Sequence, residues 1–585
     1  MLNVRQQVAF DLRRVLKNLV SPDRDIIPQL EHPMDEKHGD YASNIALAIF
    51  SSSKFPSSVG RQVQSSKFGS PMELAEEIVK KLNSSSATLP NIAKVEAVKP
   101  GFINFYLSQN YLITLMIHII RVSEGYGASE KLKNKKIMVE FTDPNPFKEF
   151  HIGHLYSNTV GESISRMLEA LGANVKRANY QGDVGMHVAK AIYGIQNLEI
   201  KIEDLEKKSL KEKIKILGEA YANGSKKYED DENVKKEIEE LNKKIYDKEP
   251  DVTALYEKGR QWSLEYFEEI YKRLGTKFDF YYFESEVGRD GLKLVKEYLK
   301  KGIFEESLGA VIFPGEKYGL HDRVFINSLG LPTYEAKELG LALKKYQDFK
   351  FDQSIVVTGN EIIGYFKVIL VALGEINPEL ATKTKHLSHG MVRLPTGKMS
   401  SRTGNILTGE WLLDEAKSLL KGKFNEMEED ILEKVTVGSI KYALLKSSLG
   451  RDIEFDFEES INIQGNSGPY LQYTFARTQS VLAKAEKDLR FKIKDLRIEP
   501  EEISLLRTLS RFQEIVEEAA NKFAPNLLCN YLFDLAQKFN LFYQRRKILG
   551  EIGDIRDFRI ALTKAVGQVI KNGLHLLGID SPEKM

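Results

Sequence analysis

The chain has 585 residues, of which 42% are hydrophobic, and it contains a single cysteine. One hydrophobic core rarely serves more than about 250 to 300 residues, so the length predicts about three or four domains. The 84 basic and 83 acidic side chains nearly cancel, so a nucleic-acid partner would have to be held by local patches. One cysteine excludes a disulfide framework and suits a reducing cytoplasm.

The N-terminal region, residues 1 to about 110, is predicted to be a small α+β domain. It begins with "MLNVRQQVAFDLRRVLKNLV", an amphipathic helix whose internal Arg and Asp are unlike a signal peptide. The segment "PMELAEEIVKKLN" has helical spacing, and "KVEAVKPGFINFYLS" alternates as two strands joined by Pro100 and Gly101. No run of 18 apolar residues occurs, so no membrane span is expected.

Strand-like and helix-like runs alternate between about residues 130 and 410, which predicts a doubly wound, Rossmann-like parallel sheet. The strand "KKIMVEF" is followed by a loop broken by Pro144 and Pro146 and then by the helical "SNTVGESISRMLEALGA". Between about residues 190 and 275, Lys and Glu of mixed sign at helical spacing indicate an inserted set of solvated helices rather than a nucleic-acid patch.

The C-terminal region, from about 430 to 585, is predicted to be an all-α helix bundle. Its helical runs are "EEISLLRTLSRFQEIVEEAANK", "NLLCNYLFDLAQKFNLFYQRRKIL" and "RDFRIALTKAVGQVIKNGLHLLG". They show no repeat period and no low-complexity tract.

Two histidines, His151 and His154, lie where the strand-type run gives way to the helix. Such a pair can bind a metal, but a zinc site needs further ligands at defined spacings, and one cysteine cannot form a thiolate cage. The pair could also serve only packing and capping. The carboxyl end of a parallel strand is, however, where open α/β sheets bind ligands, and a helix N-terminus favours phosphate. A nucleotide site is therefore predicted here.

The stretch "HLSHGMVRLPTGKMSSRTGN" contains Lys398, Ser400, Ser401 and Arg402. A flexible, cationic, hydroxyl-rich loop suits closure over a triphosphate and stabilisation of a departing pyrophosphate. Taken alone, the same composition favours an ordinary surface loop.

Together, "HIGH" and "KMSSR" resemble the paired signatures of class I aminoacyl-tRNA synthetases. The surrounding residues resemble the arginyl-tRNA synthetase family, in which the second signature often reads Lys-Met-Ser-Thr-Arg. The matching stretches cover the chain in order: "GDYASNIA", "PGFINF", "PNPFKEFHIGH", "NYQGDVGMHVAK", "TYEAKELG", "NSGPYLQYTFARTQS" and "LGIDSPEKM".

This resemblance implies a role for each region and a reaction. Residues 1–110 would bind the tRNA elbow, residues 130–410 would be the catalytic domain, and residues 430–585 would bind the anticodon. The reaction implied is activation of L-arginine by ATP with Mg²⁺, followed by transfer of arginine to tRNA(Arg). The resemblance also implies a cytoplasmic monomer without zinc.

The resemblance assigns individual residues as well. Those implied for ATP binding are His151, Gly153, His154, Met391, Val392, Lys398, Ser400 and Arg402. The catalytic residues among them would be His151, His154, Lys398 and Arg402. Those implied for arginine binding are Glu140, Asn145, His154, Tyr334 and Glu338. Phe102 and Asn104 would contact tRNA. The family often has Asp where Glu338 stands and commonly has Gln near Ile362, so the arginine pocket departs from the family pattern at those positions.

Three other functions remain to be weighed. A small-molecule adenylyltransferase shares the His-x-x-His fold but is usually far shorter. A noncatalytic, synthetase-like tRNA-binding protein would have no need of the phosphate-binding residues. A class I synthetase of another specificity would need a zinc site for cysteine or an editing domain for branched side chains.

Overall fold

The computed structural model describes residues 4–19, 27–50, 68–84, 89–198, 202–395, 407–485 and 496–585. Within those ranges, no helix is both long and apolar enough to cross a membrane. Contacts divide the chain into two compact units. One unit comprises Met1–Tyr126, Thr478–Phe512 and Leu535–Val569, and the other comprises Gly127–Arg477, Gln513–Asp534 and Ile570–Met585.

The N-terminal part of the first unit is a three-stranded antiparallel sheet with helices against it. Its elements are α1 (Val4–Leu19), β1 (Tyr41–Ser43), α2 (Ile45–Phe50), α3 (Pro71–Ser84), β2 (Ile92–Val98), β3 (Phe102–Leu107) and α4 (Gln109–Val122). The strand order is β1-β3-β2. The predicted hairpin is confirmed, because Val98 pairs with Phe102 across the turn.

The second unit contains a five-stranded sheet in which every neighbouring pair is parallel, in the order β11-β10-β4-β5-β6. Its strands are β4 (Lys136–Glu140), β5 (Asn174–Gln181), β6 (Phe280–Phe283), β10 (Gln353–Gly359) and β11 (Thr384–His389). The helices between them are α5 (Ile152–Ala170), α6 (Met186–Asn197), α11 (Glu284–Leu299), α12 (Tyr334–Asp348), α13 (Ile363–Ile376) and α14 (Pro378–Lys383). The predicted doubly wound sheet is confirmed.

Two additions interrupt this sheet domain. The predicted helical insertion is α7 (Ile202–Glu206), α8 (Leu210–Asp230), α9 (Glu232–Asp247) and α10 (Pro250–Leu274). Helix α10 is more than a solvated helix, because it buries Trp262, Phe267 and Tyr271. A small antiparallel sheet, which the sequence did not predict, follows α11 and consists of β7 (Glu305–Ser307), β8 (Ala310–Phe313) and β9 (Arg323–Ile326).

The C-terminal residues are helical, as predicted, apart from the short parallel pair β12 (Val392–Arg393) and β13 (Ile453–Glu454). The helices are α15 (Gly409–Lys423), α16 (Glu429–Leu445), α17 (Phe457–Ser460), α18 (Gly468–Ala483), α19 (Pro500–Ser510), α20 (Phe512–Lys522), α21 (Pro525–Arg545) and α22 (Gly553–Leu576). The run from Glu501 to Lys522 is helical, as predicted, and a turn at Arg511 divides it into two helices.

Candidate active site

The two histidines of the signature close the first turn of α5. His151 is the residue before the helix, and its Nδ1 accepts the amide N–H groups of Gly153 at 3.1 Å and His154 at 3.3 Å. The Nδ1 of His154 accepts the amide N–H of His151 at 3.2 Å. These bonds satisfy amide groups that a helix start leaves without partners. Because each Nδ1 is an acceptor, each neutral ring carries its proton on Nε2 and keeps that N–H as a donor.

Both imidazoles are neutral near pH 7. Burial lowers the pKa of His151 to about 4, and burial together with the neighbouring His151 lowers the pKa of His154 well below its usual value. The rings stack with centroids 3.4 Å apart. A Cβ on Gly153 would lie 3.0 Å from the His151 ring, so a larger residue there would displace the imidazole. The pair therefore offers hydrogen-bond donors rather than positive charge to an anion.

The described residue that follows the predicted triphosphate loop lies beside this turn. Lys398, Ser400 and Arg402 lie in residues 396–406, outside the described part of the chain. After that segment, the carbonyl of Leu407 accepts the amide N–H of Ile152 at 3.0 Å. Before it, Met391 donates its amide N–H to Asp452, 2.9 Å away. The carbonyl of Met391 accepts the amide N–H of Ile453 in β13. The predicted contact of Met391 with ATP would therefore have to come from its exposed side chain.

A strained turn links β4 to the signature. Thr142 has φ 82° and Asp143 has φ 46°, both left-handed, which typically costs about 1 to 3 kcal/mol for a non-glycine residue. The Thr142 amide donates to the Ser157 hydroxyl at 2.9 Å, and the Asn158 amide donates to the Thr142 hydroxyl at 3.0 Å. Asp143 accepts the backbone N–H of Tyr180 at 2.8 Å. These bonds hold the turn, and with it the residues on either side, at the carboxyl edge of the sheet.

Glu140 and Glu338, both predicted to bind arginine, are brought into one buried cluster. Glu140 ends β4 and is 1% exposed, and its Oε2 accepts from the buried ammonium of Lys345 at 2.6 Å. Glu338 lies on α12 and is 7% exposed. Burial, and then the charge of Glu140, raises the pKa of Glu338 to about 8. Burial and Glu140 also raise the pKa of Asp143 well above its usual range.

Glu338 has no cation of its own among the described residues, because the nearby ammonium of Lys345 is bonded to Glu140. The cluster therefore contains three carboxyl groups, those of Glu140, Asp143 and Glu338, and one ammonium, that of Lys345. Fully ionised, it would carry two excess negative charges. A buried carboxylate is costly unless a cation meets it, which makes this cluster suited to a ligand with two positive groups.

Asn145 and Tyr334 lie at the edges of the same cluster. The amide oxygen of Asn145 approaches the backbone so closely that a Cβ on Gly182 would lie 2.3 Å from it. Tyr334 is the first residue of α12 and is 53% exposed, and its backbone carbonyl accepts from the Tyr365 hydroxyl at 3.1 Å. Tyr334 thus forms part of a rim, whereas Glu338, one turn further along the helix, is enclosed.

The sequence did not single out several residues of this site. Lys337 and Glu284 form a buried ion pair of 2.6 Å. A Cβ built on Gly182 would lie 3.2 Å from a carboxylate oxygen of Glu284. Lys345 and Asp143 complete the carboxylate cluster. Lys337 falls within the quoted "TYEAKELG" and Asp143 within "TDPNP", so proximity to the matching stretches was the available signal. Lys345 carried no such signal.

The two residues predicted to contact tRNA differ in exposure. Phe102 is 38% exposed, as a stacking contact needs. Strand alternation places Asn104 on the same face as Phe102, but Asn104 is only 2% exposed. Its strand, β3, lies between β1 and β2 and pairs with both. Contact of either residue with tRNA stays a prediction.

Comparisons with known proteins agree with this geometry. The family described as tRNA synthetases class I (R), catalytic domain, matches residues 117–457. The DALR anticodon binding domain matches residues 471–585, and the arginyl tRNA synthetase N terminal domain matches residues 6–107. The matched catalytic range extends beyond the predicted limit of 410, and the predicted domain limits stay a prediction.

Curated relatives and solved structures point the same way. The arginine–tRNA ligase of Flavobacterium psychrophilum is 34% identical over 528 residues, which cover 85% of this chain and 87% of that protein. The arginine–tRNA ligase of Borreliella afzelii is 30% identical over the whole of both chains, 607 aligned positions. The fold is that of the Thermus thermophilus arginyl-tRNA synthetase, with a TM-score of 0.80, 22% identity and full coverage of both chains. The chain belongs to the arginyl-tRNA synthetase family, within the class I aminoacyl-tRNA synthetases.

Proposed function

We propose that this protein activates L-arginine with ATP and transfers it to tRNA(Arg). The observation that supports this substrate is Glu338, a buried carboxyl group that forms no ion pair with any described residue. A guanidinium presents five N–H donors in a plane and can meet a carboxylate with two parallel hydrogen bonds. Lysine offers a compact ammonium, and citrulline keeps the shape of arginine but lacks the charge. Arginine therefore fits this pocket better than either.

The number of charged groups in the pocket supports a position for the α-ammonium end of arginine. The α-ammonium would lie against Glu140 and Asn145, with His154 beside it, and the guanidinium would lie against Glu338 with Tyr334 at the rim. Arginine then brings two positive groups to a cluster with two excess carboxyl groups. Its own carboxylate is left towards the signature histidines, where the nucleotide is expected.

The phosphate end of the site is proposed to be formed by the two signatures. ATP would enter as its Mg²⁺ complex, in which the metal would supply positive charge against the phosphates. His151 and His154 donate Nε2–H to phosphate oxygens, while Gly153 keeps the start of α5 free of a side chain. Met391 and Val392 would contact the nucleotide from β12. Positive charge for the pyrophosphate would come from Lys398 and Arg402, with the hydroxyl of Ser400 beside them.

The chemistry consists of two displacements. In the first, a carboxylate oxygen of arginine attacks the α-phosphorus, the bond to the bridging oxygen breaks, and pyrophosphate leaves. In the second, a hydroxyl of the terminal ribose of tRNA attacks the carbonyl carbon of arginyl-adenylate, loses its proton, and AMP leaves. Both steps have a good leaving group, so positioning and charge stabilisation contribute more than acid or base catalysis. Neutral imidazoles suit such a site.

The regions outside the sheet domain are proposed to hold tRNA. The C-terminal helices would bind the anticodon, and Phe102 would stack on a base of the elbow. Asn104→Ala that leaves the KM for tRNA unchanged would remove the buried Asn104 from that surface. The protein is proposed to act as a monomer in the cytoplasm, which size-exclusion chromatography with light scattering and cell fractionation would test.

The decisive experiment is ATP–pyrophosphate exchange with each amino acid, with and without tRNA(Arg), followed by aminoacylation of a tRNA(Arg) transcript. We expect arginine alone to support exchange, in a tRNA-dependent manner, as family resemblance implies. Glu338→Gln should weaken arginine far more than ATP. The matched control is Glu335→Gln, on the same helix, whose carboxylate is paired with Arg323 at 3.0 Å. Exchange with lysine or citrulline within tenfold of arginine would contradict the assignment, and no exchange at all would favour a noncatalytic tRNA-binding protein.

A further inference from the structure

The chain departs from the family pattern at the residue before α13. Ile362, where the family commonly has Gln, immediately precedes α13, is partly exposed, and cannot form a hydrogen bond with its side chain. A guanidinium held by Glu338 through two N–H groups still has three donors to satisfy. A pocket with Ile362 therefore needs another acceptor, because unpaired N–H groups in a buried site weaken binding.

Tyr180 supplies an oxygen in the right place. It lies on β5, next to β4, and its backbone N–H is bonded to Asp143 in the carboxylate cluster at 2.8 Å. Its hydroxyl is buried and has no hydrogen-bond partner among the described residues. Tyr180 shares a face of β5 with Ala178, the register partner of Glu140, and its ring packs against the core that includes Ala336 and Leu339 of α12, the helix that carries Glu338. Burial, and then the charges of Glu284 and Glu338, raises the pKa of Tyr180 well above its usual value, so the phenol remains protonated.

Tyr365 leaves this hydroxyl free for a ligand. Tyr365 lies on α13 and faces the same carboxylate of Glu338, but its own hydroxyl donates to the backbone carbonyl of Tyr334 at 3.1 Å. Its polar atom is thus already engaged. Buried polar groups are nearly always hydrogen-bonded, so an unpaired hydroxyl beside an unpaired carboxylate indicates a position meant for a ligand.

We propose that the Tyr180 hydroxyl accepts a guanidinium N–H that Glu338 cannot reach and is a specificity-determining residue for arginine. This inference rests on the proposed function of the site. The hydroxyl takes the part of the amide oxygen that Ile362 cannot provide. A lysine ammonium is too compact to reach both Glu338 and Tyr180, so the second acceptor sharpens the preference for a planar, branched cation.

The test compares Tyr180→Phe with Tyr282→Phe. Tyr282 is the register partner of Tyr180 on β6 and is likewise buried in the same core, which makes it a matched control. Tyr180→Phe should raise the KM for arginine in pyrophosphate exchange about 10- to 100-fold, the usual effect of losing a hydrogen bond to a charged group, and leave the KM for ATP unchanged. Tyr282→Phe should change neither KM.

A second measurement separates ligand recognition from folding. Because the Tyr180 hydroxyl has no partner among the described residues, Tyr180→Phe should keep or raise the Tm without arginine and should reduce the Tm gain that arginine produces. A lower Tm without arginine would reveal a structural partner and overturn the proposal, as would an unchanged KM for arginine. Failure of the unsubstituted protein to activate arginine would instead overturn the proposed function.

Discussion

The pH dependence of arginine binding follows from Glu338. Its pKa in the empty pocket is raised from 4.5 to about 8 because the carboxyl is buried beside Glu140. A guanidinium needs the ionised carboxylate, so arginine must displace a proton from the pocket at any pH below that value. At pH 7 only about one protein molecule in eleven has this carboxylate ionised, which weakens binding by about tenfold, or about 1.4 kcal/mol. Arginine affinity should therefore rise about tenfold between pH 6 and pH 7.

The same pKa fixes the sign of the effect on stability. A carboxyl whose pKa is raised by folding contributes stability that is fully present below about pH 4.5 and is lost as the pH rises through about 8. The empty protein should therefore lose stability across that range. Arginine should stabilise the protein more at pH 8 than at pH 6, because it replaces the proton on Glu338.

Isothermal titration of arginine in two buffers with different enthalpies of ionisation measures this proton directly. At pH 7 the expected release is about 0.9 proton per arginine bound, from the ionised fraction given above. The other ionisable groups around Glu338 are Glu140, Asp143, Glu284, Lys345, Tyr180 and Tyr365, and burial also raises the pKa of Asp143. Glu338→Gln should abolish most of the release. An affinity independent of pH from 6 to 8, or a release that survives Glu338→Gln, would refute the reasoning.

Three substitutions test the rest of the site. Lys398→Ala should slow adenylate formation by about 10² or more in rapid-quench measurements, the usual effect of losing one transition-state charge contact, while arginine affinity stays nearly unchanged. In Gly182→Ala the new Cβ would lie 2.3 Å from the Asn145 amide oxygen, so the KM for arginine should rise. The control is Gly364→Ala, whose Cβ meets nothing within 4 Å and should leave the KM for arginine unchanged. Phe102→Ala should raise the KM for tRNA by about five- to a hundredfold if stacking contributes its usual 1 to 3 kcal/mol, and an unchanged value would remove Phe102 from the tRNA surface.

Local patterns in the sequence were sufficient to predict the fold class. The apolar run before Glu140 and the helical spacing after Ser157 predicted β4 and α5, and the histidines between them do begin the helix. These patterns could not predict which strand faces are buried by other parts of the protein. Alternation places Asn104 on the same strand face as Phe102, but whether another part of the protein covers that face depends on tertiary contacts.

Prediction of the site is limited in the same way, because the site depends on ion pairs between residues that are far apart in the sequence. Lys344 and Lys345 are adjacent at the end of α12 and look alike in sequence. Lys344 pairs at the surface with Asp348, four residues away, whereas Lys345 pairs with Glu140, 205 residues away, in the core. Helical spacing reveals the first pair. The second exists only because the parallel sheet brings α12 beside the end of β4, which no local pattern records.

The proton on Glu338 also bears on how the pocket rejects a neutral analogue. Citrulline has a carbonyl oxygen in place of one guanidinium nitrogen and carries no positive charge on its side chain. That oxygen and an ionised Glu338 are both hydrogen-bond acceptors, so they could not bond to each other. We expect rejection of about 10³ or more under that condition. Below pH 8, however, Glu338 is mostly protonated in the empty pocket and can donate to the citrulline carbonyl. Arginine affinity should fall as the pH is lowered while citrulline affinity rises, so the ratio of the two should shrink by more than the arginine effect alone. A ratio that is constant between pH 6 and pH 8 would mean that Glu338 does not meet the distal end of the substrate.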